Sequence, residues 1–158
     1  MTQAETDLQR LLRGLKPRLL PQRLVFVALG QETPHVVDSL QPVCTMVEEE
    51  GVSAIISVET AEAHQLSLGP VMRQITLEVY SSLEAVGLTA AFAHELASHG
   101  ISANVVAGYH HDHVFVPEGR AEEALARLRA LSERCTVTRQ VVSPSSDRLM
   151  VVRLNAVV

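Results

Sequence analysis

The amino-acid sequence predicts an α+β protein whose larger part is a βαββαβ unit running from about residue 71 to 142. Three observations predict it. First, "MRQITLEVY" alternates Ile75, Leu77 and Val79 on one face, the period-two pattern of a strand that covers a core on one side only. Second, two later stretches repeat every three or four residues instead: Leu88, Ala91, Phe92, Leu96 and His99, then Ala121, Ala124, Leu125, Leu128 and Leu131. Third, the short β-rich runs "ISANVVA" and "HVFVP" lie between these two helices, and "TVTRQVV" follows the second. The order strand, helix, strand, strand, helix, strand is that of the split unit of ferredoxin-like folds. It places both helices on one face of a four-stranded antiparallel sheet.

The part before residue 71 reads as a smaller α/β half. "AETDLQRLLRGL" spaces Leu8, Leu11, Leu12 and Leu15 as a short helix, closed by Gly14 and Pro17. "RLVFVAL" from Arg23 is a strand, and "GQETPHVVDSLQP", with two prolines, is expected as a loop. "VCTMVEEEGVSAIISV" reads as two strands around "EEEG", with Gly51 giving the turn its freedom and the glutamates solvated. "ETAEAHQL" supplies one or two helical turns, and "LGP" at 68–70 breaks the chain. The expected division is therefore 1–70, 71–142 and 143–158. In the last segment "SPSSD" is a turn, and "RLMVVRLNAVV" is one further strand docked on a sheet edge, internal or intermolecular.

Composition narrows the functional classes. The chain has 158 residues, 47% of them hydrophobic but only 3% aromatic and none of them Trp, so Val, Leu, Ile and Ala must build the core. The net charge is -5 and no Lys/Arg run occurs, whereas a nucleic-acid binder carries a basic stripe to displace counterions from phosphates. No nucleic-acid partner is expected. Cys44 and Cys135 have no close spacing and suit a reducing compartment better than a disulfide framework, although a single bridge stays open. The first twenty residues lack the apolar core of a signal peptide, and no run approaches the roughly 20 apolar residues of a membrane span. A soluble, cytoplasmic protein with no membrane partner is expected.

The junction "YSSLEAVGLTAAF" leads from the first strand of the larger unit into its first helix. Ser81 and Glu84 have the S-x-x-E spacing of a capping box. Gly87 lies where a missing side chain lets the backbone bend and a ligand approach. Spare helix N–H groups with the hydroxyls of Ser81, Ser82 and Thr89 suit a carboxylate, although every helix start has a cap and most serve stability alone.

The histidine-rich run "YHHDH" admits three chemistries. In a strand His111 and His113 point to one face and His110 and Asp112 to the other, which leaves two ligands per face and a poor metal site. His94 and His99 are five apart on a helix and do not chelate together. Acid–base catalysis needs a base oriented on a reacting group, and no nucleophile elbow, Cys-His motif or phosphate loop is present. The third use is recognition, with Asp112 offered to a cationic group while the helix start holds a carboxylate. From spacing alone the turn reading prevails, with Asp112 bonding its own backbone.

The stretch "SSLEAVGLTAAFAHELASHGISANVVAGYHHDHVFVPEGRAEEALARL", Ser81 to Leu128, resembles bacterial ACT-domain proteins with tandem ACT-like units, related to the CASTOR arginine-sensor group. Residues from about 8 to 70 resemble a degenerate first unit, so the likeness runs from about 8 to 134 and leaves the tail from Thr136 outside the pattern. The resemblance implies a non-catalytic regulatory protein that binds a small molecule, an amino acid by expectation, beside the first strand–helix loop. The matching positions are Ser81, Ser82, Val86, Gly87 and Leu88, with Asn104 and Val105 on the next strand and Asp112 on the hairpin. It implies no catalytic residue, no metal and no cofactor, and it implies a homo-oligomer. The alternatives are a ligand-free dimerisation or docking module and a small hydrolase or metalloenzyme using the histidines.

Overall fold

In the computed structural model, residues 5–30, 34–82 and 84–137 are described. Helix α1 (Leu8–Gly14) starts where the Asp7 carboxylate accepts a 2.8 Å hydrogen bond from the Arg10 amide, and it buries Leu11 and Leu12. Strand β1 (Pro17–Gly30) is longer than the run from Arg23 that alternation alone suggested. The expected loop after it contains a short helix, α2 (Pro34–Ser39), with proline at the first helical position, where its fixed φ favours a start. Val37 and Leu40 are buried, and this pull toward the core turns a proline-rich connection into a helix.

A hairpin follows, β2 (Cys44–Glu48) and β3 (Gly51–Ser57). Gly51 has a φ of 129°, and a Cβ there would stand 2.2 Å from the Gly30 carbonyl oxygen, so no other residue fits. Helix α3 (Val58–Ala63) is capped by the Ser57 hydroxyl, which accepts from the Thr60 amide at 3.0 Å. Then come β4 (Met72–Leu77), α4 (Leu88–Ser98), β5 (Asn104–Ala107), β6 (Asp112–Pro117) and α5 (Ala121–Val137).

The six strands of the described residues form one antiparallel sheet in the order β2-β3-β1-β4-β6-β5. Strand β1 has two registers. Pro17–Leu19 face Leu77–Ile75 of β4; after an irregularity, Arg23 and Leu24 face Arg73 and Met72, and Leu24 onward also pairs with β3. Two ferredoxin-like units are therefore interlocked. In the N-terminal unit β4 is the fourth strand beside β1, and in the C-terminal unit the first half of β1 is the fourth strand beside β4.

The closing strand expected at 136–142 is not what fills that position. Thr136 and Val137 belong to α5, which extends because Leu128, Leu131 and Cys135 continue its apolar spacing onto the core. The remainder of that expected strand and the whole of 143–158 lie outside the described residues.

Among the described residues three apolar clusters form the core. The largest joins α1, α4 and α5 to Ile75, Leu77, Val114 and Val116 on one face of the sheet. A second packs α2 and α3 on Val25, Val27 and Ile56. The third, Leu24, Ile55 and Phe115, lies on the other face, where Phe26 and Phe115 meet edge to face with centroids 5.7 Å apart. Because Leu11 of α1 is fully buried in the core of the C-terminal unit, Leu11→Ala is expected to cost about 2–5 kcal/mol, as much as Leu96→Ala within that unit. Denaturant unfolding of both variants checks this, and the two should share one cooperative transition.

Candidate ligand site between the start of α4 and the tip of the β5–β6 hairpin

The site arises where β4 ends and the chain crosses to α4. The expected capping box does not form, because α4 begins at Leu88 and both Ser81 and Glu84 precede it. Ser81 makes an isolated bridge with Glu5, and the Ser82 amide donates to the Glu5 carbonyl at 3.0 Å, so the segment before α1 pins this crossing. The Ser82 hydroxyl accepts from the Glu84 amide at 3.2 Å.

Gly87 is the N-cap, with a φ of 95° and no side-chain cap on the helix. The first intrahelical bond runs from the Ala91 amide to the Gly87 carbonyl, so the amides of Leu88, Thr89 and Ala90 precede the hydrogen-bonded ladder. These are the donors that a helix start offers to an anion.

Asp112 stands opposite. It opens β6, pairs with Ala107 of β5, and shares the helix-bearing side of the sheet with Val114. It is 9% exposed, and its side chain makes no hydrogen bond or ion pair with any described residue. The alternative of a turn residue bonding its own backbone is therefore not realised. Burial pushes its carboxyl above the ordinary aspartate value, and nearby His113 and His111 pull it part of the way back.

Ser81, Ser82, Leu88 and Asp112 line one hollow of about 80 Å³ together with Ala85, Thr89 and Ala107. Four of the eight expected site residues are thus brought together. Val86 is adjacent but points out, 84% exposed. Gly87 contributes its backbone conformation rather than open space, since a Cβ there would meet Leu8 of α1 at 3.0 Å. Asn104 pairs with Phe115 and so faces the helix-free side, while Val105 packs on the main core.

Ala107 and Tyr80 were not singled out by the sequence. Tyr80 stacks on His110 with centroids 6.2 Å apart, tying the crossing to the hairpin tip beside the hollow. Neither carries a chemical signature, and only the strand pairing reveals them.

His113 turns away from the hollow, as alternation along β6 requires, whereas His110 and His111 precede the strand. On the helix-free face His113 Nδ1 accepts from Gln74 Nε2 at 3.0 Å and lies 3.1 Å from Thr76 Oγ1, and burial lowers its pKa. Among the described residues no three His, Cys, Asp or Glu side chains stand close enough to hold a metal. Cys44 and Cys135 are both free. No described helix is long and apolar enough to cross a membrane.

An uncapped helix start thus faces a largely buried carboxylate on a ferredoxin-like sheet. Residues 3–73 match one family model described as ACT domain, and residues 71–130 match a second with the same description. The chain belongs to the ACT-domain family. It is similar to a Vibrio cholerae protein of unknown function, with 42% identity over 79% of this chain and 95% of that one, and a TM-score of 0.73.

An Agrobacterium tumefaciens protein shares the fold at 15% identity and a TM-score of 0.60, over 75% of this chain and 89% of that one. So does the regulatory subunit of aspartate kinase from Thermus thermophilus, at 11% identity and a TM-score of 0.53, over 75% and 98%. No curated protein matches the chain.

The Asp112 carboxyl generates a pH prediction. Its folded pKa lies above the unfolded one, so the burial cost is absent below the ordinary aspartate value and grows as pH rises through the raised folded value. The Tm of Asp112→Asn relative to the parent should therefore rise between pH 3.5 and pH 7. Thermal unfolding at the two pH values measures it; a difference that falls with pH would show a carboxylate stabilised, not penalised, by its surroundings.

Proposed function

We propose that this protein is a non-catalytic amino-acid sensor of the kind its likeness to the CASTOR arginine-sensor group suggests. The amides of Leu88 and Thr89, with the hydroxyls of Ser81, Ser82 and Thr89, receive the ligand carboxylate, and Asp112 receives a cationic nitrogen. The observation that carries this reading is Asp112 itself: a largely buried side chain whose carboxylate has no protein partner among the described residues and opens only into a hollow whose far wall is an uncapped helix start. Partial burial disfavours the charged form of this carboxyl, and a ligand ammonium offsets that cost while making a charge-assisted bond.

The hollow is small. At about 80 Å³ it takes the head group of an amino acid, and the ligand side chain extends past the rim. Around this corner Tyr80, Val86 and Tyr109 are exposed at 44%, 84% and 73%. Exposed apolar groups beside a site favour an assembly that covers them, which fits a homo-oligomer whose contacts respond to the ligand.

One observation favours a ligand-free docking module instead. The edge strand β2 exposes Met46 and Val47, with Val43 just before it, an apolar edge with no neighbouring strand among the described residues and of the kind that pairs with another chain.

Thermal-shift measurement against the twenty amino acids separates the two. A ligand at a hundred times its Kd stabilises by about 2.7 kcal/mol, or roughly 5–10 °C for a chain of this size. Asp112→Asn should weaken that ligand tenfold or more, the loss of one charge-assisted hydrogen bond. Absence of any shift across the set would favour the docking module.

A further inference from the structure

A larger hollow lies elsewhere, between the first half of β1 and α5. It has a volume of about 560 Å³, inside the range of roughly 300–1,000 Å³ typical of small-molecule sites. It adjoins a second of about 290 Å³, with Lys16, Pro17 and Arg129 lining both. None of the residues of the Asp112 hollow lines it.

Its charge runs against that of the chain. Lys16, Arg18, Arg73 and Arg129 line it, against Glu78 and Glu122, a surplus of two positive charges in a protein of net charge -5. Lys16 is the only lysine in the sequence. Arg18 is engaged by Glu78, and Arg73 donates from Nε and Nη2 to the Leu20 carbonyl at 3.1 and 2.7 Å, which fixes its guanidinium. Lys16 and Arg129 form no ion pair with any described residue. The floor is apolar, with Leu19 and Leu125, and α5 presents Leu125 and Arg129 to it one turn apart.

The strand edge beside this groove, unpaired among the described residues, is unsuited to another strand. The Glu78 amide donates to the Lys16 carbonyl, so Lys16 and Arg18 turn their backbone groups to β4, and Pro17 and Leu19 turn theirs outward. Pro17 has no N–H to donate, and Pro21 ends the run, so the edge offers few donors for strand addition. A charged groove on a blunted edge fits a small molecule better than a peptide strand.

We propose that this groove is a second ligand site, independent of the Asp112 hollow, and that it takes a small organic anion carrying at least two negative charges. Lys16 and Arg129 hold the anionic groups, Arg73 adds a preset guanidinium, and the apolar floor takes the carbon skeleton. Phosphate and paired carboxylates share this chemistry, since guanidinium forks bind both.

The test is calorimetric titration of the full chain with inorganic pyrophosphate and, separately, with succinate, each against sodium chloride at matched ionic strength. One site per chain for at least one probe is expected, with affinity falling tenfold or more in both Lys16→Gln and Arg129→Gln. These are exposed residues, so both variants should keep the parental circular dichroism spectrum. Whichever probe binds tighter identifies phosphate or carboxylate as the recognised group.

No binding of either probe at 10 mM beyond the chloride control would overturn the proposal. So would binding that both variants leave unchanged. Loss in Asp112→Asn with retention in the two groove variants would place the anion at the other hollow and overturn it as well.

Discussion

The pairing of β1 with β4 is the constraint on which the rest of the structure depends. Each strand belongs to two units at once: β1 bonds β3 with its second half and β4 with its first, while β4 bonds β1 on one side and β6 on the other. Neither unit is complete without a strand from the other. The irregularity between Leu19 and Arg23 lets one 14-residue strand serve both, because it resets the register where the two units meet. The Arg73 guanidinium, held on the Leu20 carbonyl, spans that irregularity and satisfies an oxygen that the ladder would otherwise leave open.

Both hollows follow from this arrangement. Once β4 is fixed between β1 and β6, its C-terminal end is carried to the hairpin tip, since Leu77 pairs with Asp112. The crossing to α4 then passes over that carboxylate, and a left-handed Gly87 turns the chain sharply enough to begin the helix there. At the other edge, the first half of β1 has no strand on its outer side among the described residues, which leaves the groove against α5. Both hollows thus lie at the seams of a sheet whose halves share strands.

Much of the fold was legible in the sequence because its signals are local. Alternation found β4 and β6, apolar spacing found α4 and α5, and Gly51 marked its hairpin. The first half of β1 was not legible, since "PRLLPQ" carries two prolines and is a strand only through pairing with residues sixty positions away. For the same reason the fourth strand of the C-terminal unit was sought downstream of α5. Asp112 was singled out by the family likeness rather than by spacing, and its burial without a partner appears only in three dimensions. Gly87 was noticed for openness to a ligand, whereas Leu8 occupies that side and the positive φ is what demands glycine. Asn104 fell to the wrong face because Ala107, three residues on, is the β5 position that pairs with Asp112.

The most direct measurement is a ¹³C carboxyl NMR titration of Asp112, made on the free protein and again with the amino acid that most raises its melting temperature. A carboxyl that titrates above the ordinary aspartate range when free, and falls well below its free value once an ammonium group sits against it, is the result predicted. A curve that starts at the ordinary value, or does not move when the ligand is added, would contradict the account.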